Sequence, residues 1–132
     1  MQSFAALVWN EHAPRECAAA QRLSEAIRRQ CGVDGRRFES QGLAVFDLSP
    51  PGGKAQLYPL YDKRGVVFGT MRETGPGPAR SLTMDRVGED RRIVETDGRH
   101  LATAYWGSYT AFIRNARGSF IVNDPTGALP CF

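Results

Sequence analysis

Apolar residues run unbroken from Phe4 to Trp9 and stop at Asn10, a pattern that predicts a buried strand beginning almost at the N-terminus. Pro14 opens the next element. From Arg15 to Cys31, the residues Cys17, Ala20, Leu23, Ile27 and Cys31 recur at steps of three and four, marking one stripe of an amphipathic helix that Gly32 ends. That stripe makes Cys17 and Cys31 small core residues. Past Gly35 the pattern turns to strands, weakly over Arg37 to Ser40 and strongly over Leu43 to Leu48, followed by a Ser49-Pro50-Pro51-Gly52-Gly53 loop. Gln56 to Tyr61 and Val66 to Met71 flank Asp62-Lys63-Arg64-Gly65, whose Asp and Gly suit a tight hairpin turn. Thr74-Gly75-Pro76-Gly77-Pro78 cannot continue a ladder, because its prolines lack N–H donors, and it is expected as an exposed loop.

Between Ser81 and His100 no clean period emerges. Asp97-Gly98 marks a turn there, with a short helical piece before or after it. A second hairpin follows: Ser108 to Ile113 and Ser119 to Val122 flank Asn115-Ala116-Arg117-Gly118, with Tyr109, Ala111 and Ile113 on one face. Asp124-Pro125-Thr126-Gly127 reads as a type I turn. The elements together predict an α+β chain, predominantly antiparallel, in a two-layered or sandwich arrangement.

Composition narrows the class. At 132 residues and 42% hydrophobic, the chain can bury one core, and its 23% charged residues are near the globular average, which excludes a disordered tail. The net charge of +3 comes from dispersed pairs, Arg28/Arg29, Arg36/Arg37 and Arg91/Arg92, with acids interleaved, the pattern of a solvated surface. Nucleic acid would need a concentrated basic stripe with aromatic platforms, so no such partner is expected. The apolar run at Phe4 falls far short of the roughly 20 residues a bilayer requires, so no membrane partner is expected and a cytoplasmic address follows by default. Three cysteines with no C-x-x-C spacing argue against a disulfide framework and a structural zinc site, and favour a reducing compartment.

Few residues offer chemistry on their own. Gly52-Gly53-Lys54 invites a phosphate-loop reading, but a Walker loop needs G-x-x-x-x-G-K-[ST], with four residues between its glycines and a Ser or Thr after the lysine at a helix start, whereas Ala55 and a strand come next. His12 and His100 are far apart and have no metal-ligand spacing, so both are expected at the surface or in capping roles, and no metal is expected. No G-x-S-x-G motif supplies a nucleophile.

Two C-terminal stretches do carry a resemblance. Trp106-Gly107-Ser108-Tyr109-Thr110-Ala111-Phe112-Ile113 and Asn123-Asp124-Pro125-Thr126-Gly127-Ala128-Leu129-Pro130-Cys131-Phe132 resemble the signature of the class II glutamine amidotransferase domain of asparagine synthetases. Upstream, Gly42-Leu43-Ala44-Val45-Phe46-Asp47 is similar to that family's Arg-Leu-Ser-Ile-Val-Asp strand, and Gly65-Val66-Val67-Phe68-Gly69-Thr70 falls where its Asn-Gly-Glu strand belongs. Within the family the chain looks most like the lasso peptide macrolactam synthetases, also called cyclases. The resemblance implies an antiparallel-sheet αββα sandwich of the N-terminal-nucleophile (Ntn) hydrolase type, with residues 1–132 forming the N-terminal part of a glutaminase-like domain that is incomplete at its C-terminus, one sheet edge being left open.

The departures from the family matter as much as the likeness. Its processed N-terminal Cys attacks the glutamine amide with its own amine as base; here Met1 and Gln2 stand there, so no glutaminase activity is expected and no catalytic residue is assigned. The arginine that would clamp the substrate carboxylate aligns with Gly42, the Asn-Gly pair with Phe68-Gly69 or Gly69-Thr70, and the aspartate for the substrate ammonium falls near Thr103 or Ala104. Gly42, Gly69 and Thr70 are then the expected lining of a vestigial pocket, in which a bulky residue at Gly69 should weaken binding of a precursor peptide without unfolding the domain. The competing reading is that Gly69, Gly107 and Gly127 mark turns or close backbone packing.

What the resemblance implies for function is a catalytically degenerate scaffold that packs on a synthetase domain, in cis or in trans, and helps hold a precursor peptide. That synthetase domain would use Mg and ATP to activate an Asp or Glu side chain of the peptide, which the peptide's N-terminal amine then attacks. Its Ser-Gly-Gly-x-Asp-Ser loop occurs nowhere in this chain, so no cofactor is expected here. The alternatives are a vestigial domain of a β-lactam synthetase-type amide ligase and a free-standing interaction protein with the same fold. Intact mass from the native source separates them: a product several times heavier than 14.6 kDa is expected, whereas 14.6 kDa would make this an independent protein.

Overall fold

A computed structural model describes residues 2–31, 35–75 and 88–126, which fall into two compact units, Met1–Gly53 and Lys54–Phe132. The fold is mixed α and β, with two antiparallel sheets and three helices among the described residues.

The first unit is a three-stranded sheet with one helix. Strand β1 (Phe4–Val8) and β2 (Arg37–Ser40) flank β3 (Leu43–Asp47), giving the order β1-β3-β2. All of β3 is buried, as its near-continuous apolar run predicts for a central strand. By contrast, β1 is half-buried and ends on Val8, which is half exposed, because a strand at the sheet edge has a neighbour on one side only; the expected buried strand is a strand, but not a buried one. Asp47 closes β3 with a buried carboxylate held by Arg36 at 2.8 Å and by the Ser49 backbone N–H at 2.9 Å, so one of the dispersed arginines serves the interior.

Helix α1 (Pro14–Cys31) starts as the sequence predicts. Pro14 occupies the first turn, where its missing N–H costs nothing, and Glu16 reaches back to accept the Asn10 N–H at 2.7 Å. Its buried face differs from the expected stripe. Leu23 is 53% exposed and Ser24 only 7%, so the inner positions are Cys17, Ala20, Ser24 and Ile27, a serine taking the place expected for a leucine. Steps of three, four and three from Cys17 reach Ile27 by way of Ser24 as readily as by way of Leu23, and small side chains on the inner face bring the polar residue inside.

The second unit is a four-stranded sheet in the order β4-β5-β6-β7, formed by β4 (Gln56–Pro59), β5 (Gly65–Glu73), β6 (Tyr105–Asn115) and β7 (Gly118–Asn123). Both expected hairpins form. The first turn, however, is a 3-10 turn at Tyr61–Lys63 in which Asp62 and Lys63 take positive φ, so the chain leaves β4 at Pro59, earlier than expected. Two short helices, α2 (Glu89–Glu95) and α3 (Arg99–Ala104), lie on either side of Asp97-Gly98. They bury Ile93, Val94 and Leu101 against Val67, Met71, Tyr105, Tyr109, Ala111 and Ile113, the face on which the sequence places Tyr109, Ala111 and Ile113. The corner between the helices is clamped by the β6–β7 turn: Arg117 forks onto Asp97 at 2.7 to 3.0 Å, and Asn115 Nδ2 donates to the Val94 carbonyl at 3.0 Å. Residues Pro76 to Pro78 of the expected loop, Ser81 to Val87 and the turn residue Gly127 lie outside the described residues. Among the described residues no helix is long and apolar enough to cross a membrane.

Two glycines set the spacing of β5 and β6. A Cβ at Gly69 (φ 131°) would lie 2.1 Å from the Ser108 carbonyl oxygen, and one at Gly107 (φ 147°) would lie 2.2 Å from the Thr70 carbonyl oxygen. Both neighbours are backbone and cannot swing aside. The expectation that Gly69 tolerates a bulky residue is therefore corrected. Gly69→Val is expected to destabilise the chain by at least about 3 kcal/mol, whereas Leu23→Glu on the exposed side of α1 should change stability by less than about 0.5 kcal/mol, both read from denaturant unfolding.

Candidate functional site

The residues expected to line a vestigial pocket divide between the units. Gly42 is a buried residue of the first unit, in the turn from β2 to β3, where its φ of 77° favours glycine and its carbonyl accepts the Trp9 N–H at 3.1 Å. Gly69 and Thr70 are neighbours on β5 of the second unit, paired with Tyr109 and Ser108 of β6. The ladder itself accounts for Gly69. Thr103 and Ala104 end α3, and their carbonyls accept the Thr74 hydroxyl at 3.4 and 2.9 Å.

The first unit contains a groove that no motif announces. One section, of about 320 Å³, runs between the inner face of α1 at Cys17, Ala20, Ser24 and Arg28 and the sheet at Glu39 and Ala44. A wider mouth of about 500 Å³ adjoins it through Trp9, Cys17, Glu39 and Ser40, and takes in His12 and Gly42. Gly42 thus borders an open space of the first unit. Glu39 bonds Arg28 across the groove and lies 3.5 Å from Arg37. Cys17 is a free thiol whose Sγ approaches the Glu11 carbonyl at 3.3 Å, and the imidazole of His12 is almost fully exposed, in keeping with its expected surface role.

His100, in contrast, is partly buried. Its Nε2 lies 2.7 Å from Glu89 Oε2, which also accepts the Tyr105 hydroxyl at 2.6 Å, and the His100 and Tyr105 rings meet edge to face. Those two hydrogen bonds, Tyr105 first and His100 second, hold the Glu89 carboxyl below its ordinary value. A carboxylate, an imidazole and a phenol in one chain of bonds is the material of proton transfer, yet here it joins α2, α3 and β6 of the second unit. No fixed spacing signals it, because Glu89 and His100 meet only once two helices fold back at Gly98. Deeper in the same unit, burial first and the Asp124 carboxylate second push the Tyr109 phenol up to about 12, and its hydroxyl donates to the Leu101 carbonyl at 3.3 Å. Among the described residues, no group of three or more His, Cys, Asp or Glu side chains could hold a metal ion.

No family model, curated protein or solved structure matches this chain.

The Glu89 shift has a pH consequence. A carboxyl whose folded value lies below its ordinary 4.5 adds stability above that pH, and the contribution is lost as the pH falls through the folded value. Glu89→Gln is expected to flatten the acid limb of the stability profile below about pH 4.5 relative to the native chain, followed by urea midpoints from pH 7 to pH 3.

Proposed function

We propose that this chain is a glutaminase-like domain without glutaminase chemistry, serving as a scaffold of an ATP-dependent, peptide macrolactam-forming synthetase. The observation that carries the reading is the residue at the head of β1. An N-terminal-nucleophile amidotransferase needs a sulfur there, with its own amine beside it. This chain has Gln2, whose carboxamide is neither nucleophile nor base and whose Oε1 is buried without a partner among the described residues. Cys17 does not replace it, since its thiol lies on α1 against the Glu11 carbonyl. The substrate clamp is missing as well: Gly42 has no side chain to hold a carboxylate, and Gly69 is committed to the β5–β6 ladder.

Two antiparallel sheets with helices are compatible with an Ntn-type sandwich. The role left to such a domain is contact, with the synthetase domain and with the precursor peptide, while Mg and ATP belong to the synthetase domain. Incubation with glutamine tests the chemistry. No ammonia above the protein-free control is expected, either from the native chain or from a Gln2→Cys variant with Met1 removed, because Gly42 leaves the substrate carboxylate unheld. Glutamine-dependent ammonia release by the native chain would sink the reading.

A further inference from the structure

The groove beside α1 has small side chains on both walls, Cys17, Ala20 and Ser24 from the helix and Ala44 from the sheet. Walls that small would let a helix and a sheet close to contact, as protein interiors do. Here a space remains between them, lined also by half-buried Trp9 and by the Arg28–Glu39 pair.

Two groups face it without partners. Ser24 is 7% exposed and lines the groove, and its hydroxyl, which makes no hydrogen bond among the described residues, is reached from the open space. Of the bordering carboxylates, Glu39 is engaged by Arg28 and Arg37, whereas Glu25, at the exposed rim, forms no ion pair among the described residues.

The sheet edge beside the groove is also open. Because the Asp47 N–H donates to the Arg36 carbonyl at 3.0 Å, antiparallel alternation turns Phe38 and Ser40 toward β3 and directs the N–H and C=O of Arg37 and Glu39 away from it. β2 is an outer strand of its sheet, and no described residue takes those backbone groups. A strand added there would send every second side chain onto the face of Glu39 and Ala44, beneath α1.

We propose that the groove takes an extended peptide segment, which adds to the free edge of β2 and places a lysine side chain under α1. Its ammonium meets the Ser24 hydroxyl and the Glu25 carboxylate, and Trp9 forms the aromatic end wall against which a cation is favoured. From Cys17 to Arg28 the helical wall runs for about 16 Å, the length of about five extended residues. The inference stands on the groove alone and does not need the ligase reading.

The test titrates a Trp106→Phe background, in which Trp9 is the remaining indole, with a blocked hexapeptide of sequence Thr-Val-Lys-Val-Thr-Val. A saturable change in Trp9 fluorescence is expected, weakened about tenfold or more when norleucine replaces the lysine, and likewise by Glu25→Gln, whose exposed position leaves the thermal midpoint unchanged. N-methylation of the peptide amides that pair with β2 should abolish binding, and Ser24→Val should weaken it. Absence of saturation at millimolar peptide, or equal affinity for the norleucine peptide, would overturn the proposal. So would butylamine binding as tightly as the peptide, since a small-amine site needs no added strand.

Discussion

The pairing of β5 with β6 is the contact on which the second unit rests. It runs from Gly65 opposite Ile113 to Glu73 opposite Tyr105, so these two strands carry most of the length of their sheet. β4 and β7 attach outside them, and α2 and α3 need the shared face of Val67, Met71, Tyr109 and Ile113 before their own apolar residues have anywhere to go. Helices this short are not stable alone, so their folding follows the ladder. Gly69 and Gly107 make the approach possible at one end, while at the other the Asn115–Arg117 turn reaches over to fix Asp97.

Much of this was legible because strands announce themselves by apolar runs and by turn residues. Leu43–Asp47, the weak Arg37–Ser40 segment and both hairpins stand where the pattern puts them. The pattern failed where side-chain size or tertiary contact decides. An apolar stripe favours Leu23 over Ser24, yet steps of three and four fit either one, and the helix turns the serine toward the groove and the leucine to solvent. His100 was expected at the surface or in a capping role because it has no metal-ligand spacing with His12; its partner Glu89 arrives by a fold of the chain. Of the residues expected to line a pocket, Gly42 borders a groove of the first unit and Gly69 is accounted for by the backbone of the β5–β6 ladder.

The two units differ in how they treat interior space. In the second, aromatic and branched residues fill the volume under α2 and α3. In the first, α1 presents alanine, serine and cysteine to its sheet, and a groove lined also by an indole and an ion pair remains between the layers. Filling the space and leaving it open are different outcomes of helix–sheet packing, and the open one forgoes dispersion contacts along the walls.

The glycine at position 69 has a bearing on how such a chain changes over generations. Any side chain there meets the Ser108 carbonyl, so the residue is held in place by folding whatever the protein does. Were an ancestral ligand once bound near it, loss of that ligand would leave no trace at this position, because selection for the sheet alone would preserve the glycine.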